Sequence, residues 1–188
     1  DAFMHVMEQY MTYPSAAPLQ DRFAEAILET LIETGPVTLA EPEDYDARAT
    51  FMWSATMALN TLIACGVPQD WSTHMIGHEL TAFYGLDHAE TLAIVLPGVW
   101  KHQFDRKKAK LEQYGQRVWK VKTAEEAMAK SEDFLHALGM PTRLGDYKID
   151  ASEAAEKVRT RFAERKTRLG EHGDIGPDAA AEILRSRA

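Results

Sequence analysis

The sequence has almost no cysteine and no recognisable nucleotide or nucleophile motif. Cys65 is the only cysteine among 188 residues. An internal disulfide is therefore excluded, and a reducing compartment, by default the cytoplasm, is favoured. No G-x-G-x-x-G follows a strand pattern, and neither a Walker loop nor G-x-S-x-G occurs. The chain thus contains neither a phosphate-binding loop nor a serine nucleophile elbow of a known kind.

An excess of basic charge is also missing. Acidic residues outnumber Lys and Arg by 29 to 21, which gives a formal net charge of −8. A nucleic-acid partner is not expected, because binding to phosphates needs a concentrated basic surface. The basic runs at 106–110 and 159–168 are interleaved with acids and are predicted to be solvated helix faces. The first residues show no signal-peptide pattern.

The longest uncharged stretch covers residues 49–69. It is long enough to cross a bilayer, but polar residues interrupt it and Gly66 and Pro68 break its end, so we predict a buried central helix and no membrane partner. Cys65 would then be an inert core thiol at the end of this helix. Pro68 is predicted to open the next helix. Gly35 and Pro36 are predicted to end the helix before the stretch.

Helical periodicity dominates the remaining chain, and strand patterns are nearly absent. Gly85 is predicted to end one helix, and Asp87 with Glu90 forms a capping box that makes His88 the first residue of the next. With 45% hydrophobic residues the chain can bury a real core. We predict an all-α domain of about eight to ten helices.

Histidines and one aspartate form two groups with helical spacing. His74 and His78 project from one face of a helix, and His88 can fold back over them across a turn. Asp1 and His5 have the same four-residue spacing. Together the two groups could supply three nitrogens and one oxygen to Fe²⁺ or Zn²⁺. Each pair taken singly also fits an ordinary helix surface or a local hydrogen bond, and spacing alone does not separate ligands from bystanders.

The D-x-x-x-H at the start, the later H-x-x-x-H and the third histidine resemble the C-terminal domain of the iron-containing (group III) alcohol dehydrogenases. That domain belongs to the dehydroquinate synthase-like superfamily. The segment "GHELTAFYGLDHAETLAIVLPGVW" is similar to the sequences of one branch of this family, the butanol dehydrogenases and NADPH-dependent aldehyde reductases. The likeness to the family covers nearly the whole chain. One departure is that Asp87-His88-Ala89 replaces the more common Pro-His-Gly.

The resemblance implies a role for each residue. Asp1, His5, His74 and His88 would hold the metal. His78 would lie beside the nicotinamide as a candidate proton relay, so that His78 and His88 would be the residues nearest the cofactor. The metal would polarise the oxygen of an alcohol or aldehyde, and hydride would pass to or from NAD(P)(H).

The family's N-terminal nucleotide-binding α/β domain is not found in these residues. The resemblance therefore implies that residues 1–188 are the C-terminal metal-binding and substrate domain, inactive alone, with the missing domain and a second copy of the chain as candidate partners.

Two alternatives belong to other functional classes. One is a helical metal-dependent hydrolase or lyase, in which histidines activate water and Glu79 is the base. The other is a non-enzymatic helical interaction domain with an incidental histidine cluster. The interaction domain predicts that the four proposed ligands lie apart in the fold.

Overall fold

Nine α-helices make up the regular structure, and the computed structural model describes all residues from 1 to 188. In chain order the helices are α1 Ala2–Tyr10, α2 Pro18–Ala40, α3 Tyr45–Leu59, α4 Ser72–Tyr84, α5 His88–His102, α6 Phe104–Tyr114, α7 Ala124–Ala137, α8 Ala151–Glu164 and α9 Pro177–Arg185. A π-helical turn, Gly115–Trp119, follows α6, and a single isolated bridge pairs Leu169 with Ile175. The predicted all-α architecture and the number of helices are confirmed.

Two hydrophobic clusters form the core, and α5 is the helix that they share. The first cluster is built mainly from α1, α2, α5, α6 and α7. The second is built mainly from α4, α5, α8 and α9. Every residue from Thr91 to Trp100 in α5 is buried. Because α5 is apolar on all sides, it can pack against both clusters at once.

The prediction of a buried central helix at 49–69 is therefore wrong, since the buried central helix is α5. In α3 only the small residues Ser54 and Ala58 are buried, while Met52 and Trp53 are 68% and 67% exposed. The small residues allow close packing on the neighbouring helices, and among the large side chains of α3 Phe51 packs against the first cluster while Met52 and Trp53 remain exposed. Cys65 lies in the turn after α3 and is exposed, so it is not a core thiol. None of the helices combines the length and the apolar character needed to cross a membrane.

The ends of three helices test the predictions from glycine and proline. Gly85 ends α4 in the left-handed conformation, with φ of 71°, and Asp87 and Glu90 form the capping box of α5, both as predicted. The predicted end of α2 at Gly35 and Pro36 is wrong, because the helix continues to Ala40. Gly35 lies against Phe134 of α7, and this packing offsets the backbone hydrogen bond lost at Pro36.

The start of α4 is also later than predicted. The helix begins at Ser72, four residues after Pro68. The intervening Asp70 lies before the helix and accepts the backbone N–H of Ser72. Its carboxylate also lies 2.8 Å from the buried Nζ of Lys107, and its backbone N–H donates to the carbonyl of Glu8. The prediction that the 106–110 run is solvated fails at Lys107 and Lys110, which are buried and paired with acids.

Candidate metal centre

Three predicted histidine ligands from three helices converge on a carboxylate oxygen of the fourth predicted ligand, Asp1. Oδ1 of Asp1, which precedes α1, lies 3.3 Å from Nε2 of His5 one turn later. The same oxygen is 3.6 Å from Nε2 of His74 in the first turn of α4. It is 3.3 Å from Nε2 of His88, the first residue of α5. The turn after Gly85 folds α5 back toward α4, which brings the last two residues together.

These separations suit a small divalent cation. Ligand atoms about 2.0–2.1 Å from one tetrahedral metal lie roughly 3.3–3.4 Å from each other. Donor atoms of Asp1, His74 and His88 all lie within 4.8 Å of one another. The ring of His5 packs beside them, with its centroid 4.4 Å from that of His74. One carboxylate and three imidazoles form a donor set that accepts either iron or zinc.

The hydrogen bonding of His74 provides an independent test of whether a metal fits. The residue is only 5% exposed, and its Nδ1 is hydrogen-bonded to the carboxylate of Glu8. Its Nε2 is buried and has no hydrogen-bond partner. A buried ring nitrogen without a partner is costly. A metal ion bound beside Asp1 would satisfy this atom, so the residues fit the group that the sequence resemblance implies.

The local electrostatics favour neutral imidazoles. Burial, reinforced by the nearby His74 and His88, lowers the pKa of His5 to about 4. Burial together with the charges of His74 and His78 also lowers the pKa of His88. Neutral imidazole is the form that binds metal. The crowding of histidines thus prepares these rings as donors at neutral pH.

His78 occupies a different position from the other histidines. Its side chain is exposed on α4, and its ring is stacked on His88 with a centroid distance of 5.2 Å and an interplanar angle of 27°. Its centroid is 6.3 Å from that of His74. The compact donor group contains Asp1, His74 and His88 and leaves out both His78 and His5. His5 nevertheless contacts the oxygen of Asp1, whereas no such contact joins His78 to Asp1. The role of His78 as a relay, and of His78 and His88 as neighbours of the cofactor, stays a prediction.

Glu8 is a residue of this centre that sequence reasoning missed. It lies on α1 in the same stripe as Asp1 and His5, since positions 1, 5 and 8 follow helical spacing. Its carboxylate is 3% exposed and contacts His74. The partner lies 66 positions away in the sequence, so the only signal was an acidic residue three positions after a proposed ligand.

Both alternative functions lose support from the geometry. Glu79, the proposed base of a hydrolase, is 5% exposed and is held 2.7 Å from both Arg161 and Arg165. Its two carboxylate oxygens are engaged in these ion pairs and contact none of the clustered histidines. The interaction-domain hypothesis required the four proposed ligands to lie apart, and they lie together.

An apolar cavity of about 220 Å³ opens beside the cluster. It starts at Asp1 and Ala89 and extends between α2, α3 and α7, where Phe3, Phe51 and Phe134 contribute to its wall. Twelve of its 15 lining residues are hydrophobic. The polar donor cluster therefore adjoins a surface suited to a small hydrocarbon group.

Comparison with known proteins places this geometry in a family. Residues 1–186 match the model of the Fe-containing alcohol dehydrogenase family, C-terminal. The chain belongs to the iron-containing alcohol dehydrogenase family. This confirms the resemblance inferred from the spacing of the histidines and the sequence around His88.

Individual members of the iron-containing alcohol dehydrogenase family show how far the similarity extends. The NADPH-dependent aldehyde reductase YqhD of Escherichia coli K12 is 52% identical over 97% of this chain. NADH-dependent butanol dehydrogenase B of Clostridium acetobutylicum is 35% identical over 98% of it. The substrate- and cofactor-free structure of the E. coli aldehyde reductase superposes with a TM-score of 0.96 at 50% identity, covering all of this chain and 51% of that one. The chain spans 49% of the length of both curated relatives.

Proposed function

We propose that this chain is the metal-binding half of an enzyme that interconverts alcohols and aldehydes with NAD(P)(H). The observation that carries the proposal is the buried, unpartnered Nε2 of His74, which faces Oδ1 of Asp1 in a group with His5 and His88. Family membership and the names of the relatives support the same chemistry.

Each residue has a part in the proposed reaction. Asp1, His5, His74 and His88 would hold Fe²⁺ or Zn²⁺, and the bound ion supplies Lewis-acid polarisation of the substrate oxygen. His78, on the exposed side of His88, would move a proton between the substrate oxygen and solvent. The cavity beside Asp1 would exclude water from a short hydrocarbon chain. His78 and His88 would lie beside a nicotinamide, which would supply or accept the hydride.

The proposal includes a second half of the catalytic unit. Residues 1–188 would form the metal-binding and substrate domain, and a nucleotide-binding α/β domain would hold the cofactor. The single cysteine favours the cytoplasm as the compartment. A second copy of the chain is a further candidate partner.

A fusion protein tests the activity. The N-terminal half of the E. coli aldehyde reductase, joined ahead of Asp1, should give NADPH oxidation that depends on an added aldehyde and on the metal. The isolated chain should show none, because half of the cofactor site is missing. His74→Ala in the fusion should remove the activity, and the intact E. coli enzyme is the positive control. A folded, metal-loaded fusion without turnover under conditions where the control is active would contradict the proposal.

A further inference from the structure

Glu8 makes an unusual set of contacts for a buried carboxylate. It lies on α1, yet all three of its donors belong to the first turn of α4. The backbone N–H of Thr73 donates to Oε1 at 2.5 Å, and that of His74 donates to Oε2 at 3.2 Å. Nδ1 of the His74 ring contacts the same Oε2. One side chain therefore binds both the backbone and the ring of a proposed ligand.

The backbone contacts replace a missing helix cap. Trp71, at the N-cap position of α4, has a left-handed backbone with φ of 62° and makes no side-chain cap hydrogen bond. The first N–H groups of a helix lack partners inside the helix. Asp70 accepts the N–H of Ser72, and Glu8 accepts those of Thr73 and His74 from another helix. A negative charge at a helix N-terminus is also favoured by the helix dipole. The position of α4 relative to α1 thus depends on Glu8.

The ring contact selects the tautomer of His74. An ionised carboxylate can only accept hydrogen bonds, so Nδ1 carries the ring proton and Nε2 keeps its lone pair. That lone pair belongs to the buried atom that faces Asp1. Both oxygens of the Glu8 carboxylate also accept a backbone N–H, Oε1 from Thr73 and Oε2 from His74, so the side chain is placed as an acceptor.

The other histidine rings have no such support. Nδ1 of His5 is buried without a hydrogen-bond partner. The side chain of His88 is 39% exposed. His74 is the only proposed ligand whose second ring nitrogen contacts a buried carboxylate. Carboxylates in this position behind a histidine ligand orient the ring and increase its basicity.

We propose that Glu8 is a positioning residue of the metal centre, which caps α4 and holds the His74 ring as the Nδ1-protonated tautomer with Nε2 directed at the metal. This inference rests on the proposed metal site. It assigns to α1 a third contribution beyond Asp1 and His5. It also makes His74 the ligand whose geometry is fixed before the metal binds.

Metal titration of Glu8→Gln in the 188-residue chain tests the role. Co²⁺ and Zn²⁺ affinities, measured by competition with a chelating dye, should fall about 10- to 100-fold relative to the parent chain. The visible absorption of the Co²⁺ form should also change, because the His74 ring is no longer held in one orientation. The free energy of unfolding, measured in parallel, separates weaker binding from a smaller folded fraction.

Glu79→Gln is the matched control. Glu79 is a carboxylate on α4 that is buried to a similar degree, but it pairs with Arg161 and Arg165 and contacts no proposed ligand. This variant should lose stability and keep the metal affinity and the Co²⁺ spectrum of the parent chain. A purely structural role for Glu8 predicts that both variants behave in this way.

A second measurement uses the unsubstituted chain and so leaves the cap of α4 intact. In the metal-free parent chain labelled with ¹⁵N-histidine, the His74 signals should report a protonated Nδ1 and an unprotonated Nε2. The opposite tautomer would overturn the proposal, and so would a Glu8→Gln chain with unchanged affinity and spectrum, although the metal site would stand. If the parent chain binds neither Co²⁺ nor Zn²⁺, the metal site itself is wrong and the role of Glu8 is lost with it.

Discussion

His74 and His78 differ in what lies behind each ring, which helical spacing does not encode. Both project from one side of α4, as four-residue spacing requires. His74 is buried against Glu8 from α1, whereas His78 is exposed and stacks on His88. A ligand needs a fixed ring with a free nitrogen, and a proton relay needs access to solvent. The contacts therefore support different roles for two residues that look equivalent in sequence.

Substitutions at these two positions should separate metal binding from turnover. In the isolated chain, His74→Ala should abolish tight Zn²⁺ binding, because it removes the central nitrogen donor, while His78→Gln should leave the affinity close to that of the parent chain. In the fusion with the E. coli N-terminal half, His78→Gln should retain metal and lose roughly 10²- to 10⁴-fold in turnover, the usual contribution of a positioned proton carrier.

Isothermal titration calorimetry and steady-state assays with an aldehyde provide the two measurements. Loss of metal from His78→Gln would identify it as a ligand. Full turnover by the metal-loaded variant would exclude it as the relay.

At the scale of single helices, the sequence predicted best those features that are decided by neighbours in the chain. The capping box of Asp87 and Glu90 and the left-handed Gly85 follow from local geometry, and both are present. The end of α2 could not be predicted in this way, because contacts between Gly35 and α7 outweigh the local effect of Pro36. Proline and glycine signals fail where tertiary packing provides more free energy than the local break costs.

In the candidate site, too, the features set by local sequence were predictable and those set by tertiary packing were not. The helical spacing of Asp1 with His5, and of His74 with His78, was visible in the sequence. The convergence of His5, His74 and His88 on the carboxylate oxygen of Asp1 depends on how α1, α4 and α5 pack, which no local pattern specifies. Glu8 was missed for this reason, since its partners are 65 and 66 positions away. The uncharged stretch at 49–69 was wrongly predicted to be buried, because the absence of charge does not show which face of a helix is buried.

The close approach of α4 and α5 provides a prediction about helix packing. A Cβ atom on Gly77 would lie 2.8 Å from Oγ1 of Thr91 and 3.3 Å from Leu92. Thr91 is fully buried, and its hydroxyl donates to the carbonyl of His88. Gly77→Ala should therefore push the helices apart at the point where they carry His74 and His88. Crowding of this kind costs about 1–3 kcal/mol, partly offset by the roughly 1 kcal/mol that alanine gains over glycine in a helix.

We expect Gly77→Ala to lower the free energy of unfolding and to weaken Zn²⁺ binding. Gly35→Ala is the control, because a Cβ there meets only ordinary contacts at 3.6–3.8 Å inside α2. It should be neutral or stabilising by up to about 1 kcal/mol and should leave the Zn²⁺ affinity unchanged. Urea unfolding and Zn²⁺ titration of both variants test this expectation. Equal changes in stability and in Zn²⁺ affinity for the two variants would refute it.

For the whole molecule, the metal centre lies where the two hydrophobic clusters meet. Asp1 and His5 belong to the α1 side, which packs in the first cluster, and His74 belongs to α4, which packs in the second. His88 begins α5, the helix common to both. A bound ion would therefore add a link between the two clusters, beside α5 and the contact of Glu8 with α4.

Metal should consequently stabilise the entire fold. A ligand that binds only the folded state at 100 times its Kd adds about 2.7 kcal/mol to the free energy of unfolding. With Zn²⁺ at that excess, urea unfolding should shift by about this amount, and signals from Trp100 in the first cluster and Tyr147 beside the second should change together in one transition. EDTA should reverse the shift, and His74→Ala should show none. If Zn²⁺ stabilises His74→Ala as much as the parent chain, or if only one cluster is stabilised, the ion does not join the two clusters at this site.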